Sequence, residues 1–130
     1  MCIRDSASFV VPVGATINMD GTAIMQGLAT MFIASTVGVE LSLVQYGQIV
    51  LLAMVTSIGT AAVPSAGTVT LALILGSVGL PLDAIGLILA VDRILDMIRT
   101  SVNVCGDAAV SCIVAKSESE LEEKTFNKLG

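Results

Sequence analysis

From Phe9 to Val39 the chain is a long apolar segment interrupted by Asn18-Met19-Asp20-Gly21-Thr22. A helix that crosses a hydrocarbon core of about 30 Å needs roughly 20 consecutive apolar residues, so a polar insert centred on glycine predicts a broken helix over about 9–39. Its two halves would meet near mid-depth. A second apolar run, Leu41 to Thr56, leads into the small-residue stretch from Ser57 to Gly67 and then into apolar residues as far as Leu80. Each arm is about 14 to 16 residues, or roughly 21 to 24 Å as helix, which falls short of a crossing. The pattern over about 41–80 therefore predicts a re-entrant helical hairpin. Gly79-Leu80-Pro81 breaks the chain, a last helix is expected over about 82–115, and 116–130 reads as a polar tail.

Within that last segment Asp92, Asp96, Arg99, Asn103 and Asp107 recur at steps of four, three, four and four. At 3.6 residues per turn these side chains fall within roughly 60 to 80° of one another, forming one polar stripe. The expectation is an all-α protein: a broken helix, a hairpin and a striped helix.

Composition places this pattern in a membrane. Of 130 residues 55% are hydrophobic and 13% charged, and the mean hydropathy is +0.93. Ser6 to Val91 hold no Lys or Arg. Charges at bilayer depth are expensive, and those that persist face a bundle interior or a water-filled cavity where they bind ions or solute. The stripe is thus the first candidate site, with unwound backbone at Asn18 supplying carbonyls for a cation and helix N-termini favouring an anion. No basic patch exists to attract nucleic acid. Cys2, Cys105 and Cys112 lack metal-ligand spacing and the chain has no histidine, which argues against an enzyme. Residues 1–6 lack the apolar core of a signal peptide and read as a non-native start.

Each motif also has a plainer account. The stripe can be a structural ion-pair network around Arg99, although Asp107 has no basic neighbour and the acid excess calls for an external cation. Asn18 to Thr22 can be a helix kink whose polar side chains satisfy freed backbone groups. Gly/Pro/Ser interruptions such as 57–67 are common connectors between membrane helices.

Taken together, Asn18-Met19-Asp20-Gly21-Thr22, Ser57-Ile58-Gly59-Thr60-Ala61-Ala62-Val63-Pro64 and Asp96-Met97-Ile98-Arg99-Thr100-Ser101-Val102-Asn103-Val104-Cys105-Gly106-Asp107 resemble the glutamate transporter family, the dicarboxylate/amino acid:cation symporters. The resemblance covers about Phe9 to Lys116 and corresponds to the C-terminal part of an elevator-type transport domain. It implies a fragment whose N-terminal half lies elsewhere, and a multi-pass protein of the cell (inner) membrane that is a homotrimer when full length.

The resemblance further implies secondary active symport of an acidic amino acid, glutamate or aspartate, with sodium as the co-transported ion and no cofactor. Asp96 would bind the solute ammonium and Arg99 its side-chain carboxylate. Thr100 and Asn103 would contact main-chain groups, Thr22 would support the carboxylate, and the tip around Ala62, Val63 and Gly67 would close over it. One sodium site would use carbonyls of Gly14, Asn18 and Asn103 with the Asp107 carboxylate. A second would use carbonyls of Thr16, Ser57, Ile58 and Thr60, and a third the side chains of Asn18 and Asp20. Ala62 and Ser65 stand where many members carry glycine. Competing readings are a neutral amino acid or C4-dicarboxylate symporter, opposed by Arg99 and Asp96 respectively, and a cation-conducting membrane subunit without a moving lid.

Overall fold

A computed structural model describes residues 3–60, 63 and 66–120, with side chains from residue 7 onward. The described residues are helical, in the order α1 (Ile3–Ile17), α2 (Asp20–Thr36), α3 (Leu43–Ile58), α4 (Ala66–Ser77), a 3-10 turn (Leu82–Ala84), α5 (Ile85–Leu89) and α6 (Asp92–Ser117). The interruption read over Asn18 to Thr22 is narrower in the structure: only Asn18-Met19 separates α1 from α2, because the Met19 carbonyl accepts from the backbone N–H groups of Thr22 and Ala23 and so starts the second helix at Asp20.

Helix boundaries have local causes. Ser42 caps α3: its hydroxyl accepts from the Gln45 N–H, while the Gln45 side chain accepts at 2.8 Å from the Ser42 N–H, so two orphan donors are satisfied reciprocally. Gly38 and Gly79 adopt positive φ of 71° and 76° just past α2 and α4. That conformation lets the following N–H groups, Val39 and Leu80, reach back to Ala34 and Leu75, ending both helices without penalty for a side chain.

α2 is the central helix and packs against α3, α4, α5 and α6, while α3 and α4 pack on each other as the two legs of a hairpin. Met25, Ala29 and Ile33, spaced four apart on α2, meet Ile49 and Ala53 of α3 and Leu71, Ile74 and Leu75 of α4 in one apolar core. The outward faces are also apolar: Leu43 is 89% exposed, and Phe9, Leu51, Leu73 and Ile113 are exposed as well. In water such a surface would be a severe liability, whereas hydrocarbon or further apolar protein accepts it.

Two segments differ from the sequence pattern. α1 starts at Ile3, ahead of Phe9, so the helix takes in residues that read as a non-native start. The single helix expected over 82–115 is divided at Ala90-Val91 into α5 and α6. The bend lets Ile88 enter the apolar core and gives Asp92 the first position of a new helix, where a carboxylate is favoured by the macrodipole. Only α6, among the described residues, is long and apolar enough to cross a membrane as one unbroken helix.

Candidate functional site

The polar stripe of α6 faces inward. Asp92 and Arg99 are buried, and Asp96, Asn103 and Asp107 are half-buried, while Ile94, Met97, Ile98 and Val104 between them are exposed. The stripe meets two partners in turn: the α1–α2 junction at its C-terminal end and the start of α4 further back.

At the junction, Asn18 Nδ2 donates to Asp107 Oδ1 at 2.7 Å and reaches the Asn103 carbonyl at 3.5 Å. The Gly21 N–H, an orphan donor in the first turn of α2, donates to Asn103 Oδ1 at 2.8 Å. The other end of the same amide, Asn103 Nδ2, lies 3.5 Å from Met19 Sδ, toward which the buried Thr22 hydroxyl also points. Small residues make this approach feasible. A Cβ on Gly14 would run into the Asp107 carboxylate, and one on Gly106 would stand 2.8 Å from Asn18 Nδ2. The junction is thereby joined to α6 through backbone oxygens, side-chain amides and one carboxylate, groups whose oxygens are hard donors unlike the soft ligands of a transition-metal site. No His/Cys/Asp/Glu cluster able to hold a metal by side chains alone occurs among the described residues.

One turn and more toward the start of α6, Arg99 is 7% exposed and its Nη2 pairs with Asp96 Oδ1. Its Nη1 is buried without a hydrogen-bond partner and lies against Gly67, in the first turn of α4, so closely that a Cβ there would overlap it. Leaving a buried charged donor unsatisfied costs on the order of 1–3 kcal/mol or more. Asp96 neutralises the Nη2 side, whereas Nη1 lies beside the first turn of α4 without an acceptor, an arrangement whose local potential favours an anionic oxygen. Asp92 Oδ1 is likewise buried and unpartnered.

The predicted residues are therefore not all alike in position. Gly14, Asn18, Asn103 and Asp107 converge, as do Asp96, Arg99 and Gly67, and Thr22 lies beside Met19. Ser57 and Thr60 are buried at the end of α3. Thr16, Asp20, Ile58, Val63 and Thr100 are exposed, with the Thr16 hydroxyl bonded to the Val13 carbonyl of its own helix. Ala62 falls outside the described residues. An apolar groove of about 360 Å³ runs beside the polar site, between α2 and α6, past Leu28, Phe32, Ile98 and Val102.

The sequence reading named Thr22 but missed Gln26 and Thr30, with which it forms a buried polar seam. Thr22, Gln26 and Thr30, spaced four apart on α2, are each at most 1% exposed, and Gln26 is bonded to Thr56 of α3 and Thr70 of α4. That i, i+4, i+8 spacing on a helix read only as apolar was the available signal.

A membrane protein that is helical throughout the described residues, with an apolar exterior and a polar stripe on α6 turned toward the α1–α2 junction, is the class these features define. The profile of the Sodium:dicarboxylate symporter family matches residues 1–117. The chain belongs to this family of membrane transporters, which are not enzymes. It is 57% identical over 111 residues to an excitatory amino acid transporter of Onchocerca volvulus, a match covering 85% of this chain and 23% of the relative. An excitatory amino acid transporter of Caenorhabditis elegans is equally identical over 85% of this chain and 22% of its own length. Excitatory amino acid transporter 3 of Mus musculus is 53% identical over 116 residues, 88% of this chain and 22% of the relative. The chain thus spans about a fifth of the length of these relatives.

Proposed function

We propose that the chain is the C-terminal part of the transport domain of a secondary active symporter that carries an acidic amino acid together with sodium. The observation that carries this reading is Arg99: a buried guanidinium with an unsatisfied Nη1 against the first turn of α4. A carboxylate is the group that would satisfy both. Asp96 now neutralises one side of that guanidinium. A solute ammonium would take over Asp96 while the solute's side-chain carboxylate takes Arg99, so an acidic amino acid replaces one internal pair with two intermolecular ones. A dicarboxylate without an amine would leave Asp96 facing like charge, and a neutral amino acid would leave Arg99 unpaired.

Thr22, Thr100 and Asn103 would complete the solute's polar contacts, and the tip residues Ala62, Val63 and Gly67 would close over it. Sodium would travel as cargo. The convergence of Gly14, Asn18, Asn103 and Asp107 supports one site made of backbone carbonyls and a carboxylate. Carbonyls of Thr16, Ser57, Ile58 and Thr60 would form a second, and the side chains of Asn18 and Asp20 part of a third. In this reading α1 and α2 form a broken transmembrane helix, α3 and α4 a re-entrant hairpin, and α6 the striped helix of an elevator-type domain. The full-length protein would be multi-pass, trimeric and resident in the cell (inner) membrane.

The test is uptake of radiolabelled aspartate by vesicles containing the full-length parent, with and without a sodium gradient. Uptake that depends on inward sodium and is lost in Arg99→Cys supports the proposal. Uptake indifferent to both the gradient and the substitution ends it.

A further inference from the structure

Gln26 stands at the centre of α2, 0% exposed, and none of the ion or solute contacts above uses it. Both ends of its amide are nevertheless engaged, and with different helices. Its Nε2 donates to Thr70 Oγ1 in α4, and its Oε1 accepts from the Thr56 hydroxyl in α3 at 3.0 Å, a hydroxyl shared with the Leu52 carbonyl. Thr70 passes the contact on, since its hydroxyl donates at 3.0 Å to the carbonyl of Gly67, the residue against which Arg99 lies. On the other leg the Thr60 hydroxyl bonds to the Thr56 carbonyl. One side chain thus touches both legs of the hairpin at the level where they leave the core, and is one hydrogen bond removed from the anion cradle.

We infer that Gln26 is a positioning residue: it fixes the ends of α3 and α4 on α2 and so sets where the first turn of α4 stands relative to the Arg99 guanidinium. This rests on the proposed reading of Arg99 as the carboxylate site. The physical reason is the cost of the alternative. A primary amide at 0% exposure is tolerable only with its donor and acceptor both met, so the two threonines cannot drift apart without leaving polar atoms buried and unpaired. A purely apolar seam would hold the legs together without fixing their register, because apolar packing is not directional.

The test uses the full-length parent. Thr70→Val keeps side-chain shape and removes the hydroxyl, whereas Thr70→Ser keeps the hydroxyl. Thr70→Val is expected to raise KM for the acidic amino acid about tenfold with kcat within about twofold of wild type, and Thr70→Ser to stay near wild type. Gln26→Leu should do the same, and in a background free of other cysteines it should make Ala53→Cys reactive toward an aqueous thiol reagent. Ala53, 3% exposed on α3 a turn before Thr56, should be shielded while Gln26 is present. The inference is overturned if both variants leave KM and the shielding unchanged, or if kcat and melting temperature fall together while KM holds. Should Gln26→Leu fail to fold, the Thr70 pair decides. Thiol reactivity is read without solute, so a parent that takes up no acidic amino acid defeats the carboxylate reading while the Gln26 clamp is still tested.

Discussion

At the scale of single residues, the site is organised by what surrounds one guanidinium. Arg99 is held by Asp96 on one side and meets Gly67 on the other, so its two neighbours make different predictions. Arg99→Cys is expected to lower the preference for aspartate over a neutral amino acid such as serine by at least about a hundredfold, because a buried hydrogen-bonded charge pair contributes on the order of 3 kcal/mol or more. Competition of each amino acid against labelled uptake reads that ratio. Gly67→Ala adds a methyl where Nη1 lies. The guanidinium is the far end of a flexible side chain and can withdraw, so the fold should persist with a nearly unchanged melting temperature while the aspartate KM rises about tenfold or more. At the proposed cation site, Asn18→Leu removes the donor to Asp107. The sodium concentration for half-maximal uptake should rise several-fold, a shift that titration of uptake against sodium would detect and that a solute-only defect would not produce.

Elements are specified by short-range rules, and these were the most readable part of the chain. The polar insert at the Asn18-Met19 break, the residue spacing behind the polar face of α6 and the glycines Gly38 and Gly79 at the ends of α2 and α4 are all local properties. Capping gives a stability test: Ser42→Ala removes the hydroxyl that accepts the Gln45 N–H at the start of α3 and should cost about 1 kcal/mol, seen as a lower melting temperature in detergent with unchanged solute selectivity. The division between α5 and α6 was not legible, because nothing at Ala90-Val91 is a helix breaker. It arises from tertiary demand, with Ile88 drawn into the core. Gln26 was missed for a related reason. One amide among apolar neighbours has no visible role until α3 and α4 are folded beside α2. Spacing could nominate the residues of the site, but only the fold could show that Arg99 faces α4 and that Asn103 and Asp107 face the helix break.

At the scale of the whole bundle, the described residues turn the Asp92, Asp96, Arg99 and Asp107 side chains of α6 inward and leave a largely apolar exterior on α3 and α4. Leu43, Val44, Leu51 and Val69 are among its most exposed side chains, so the chain is expected to remain with membranes through high-salt and alkaline washes and to leave them only with detergent, as fractionation and immunoblotting would show. Ionic adsorption to lipid headgroups would not survive such washes, since it is screened by salt. At this scale the crossing of α6 over the helix break has a consequence of its own. A single Asn103 side chain meets the Gly21 N–H with its oxygen and the Met19 sulfur with its nitrogen. Turning that group to face anything else gives up both attachments in one movement. One amide thereby ties the start of α2 and the residue just before it to the same point on α6, so a displacement of Asn103 is felt at Gly21 and Met19 together.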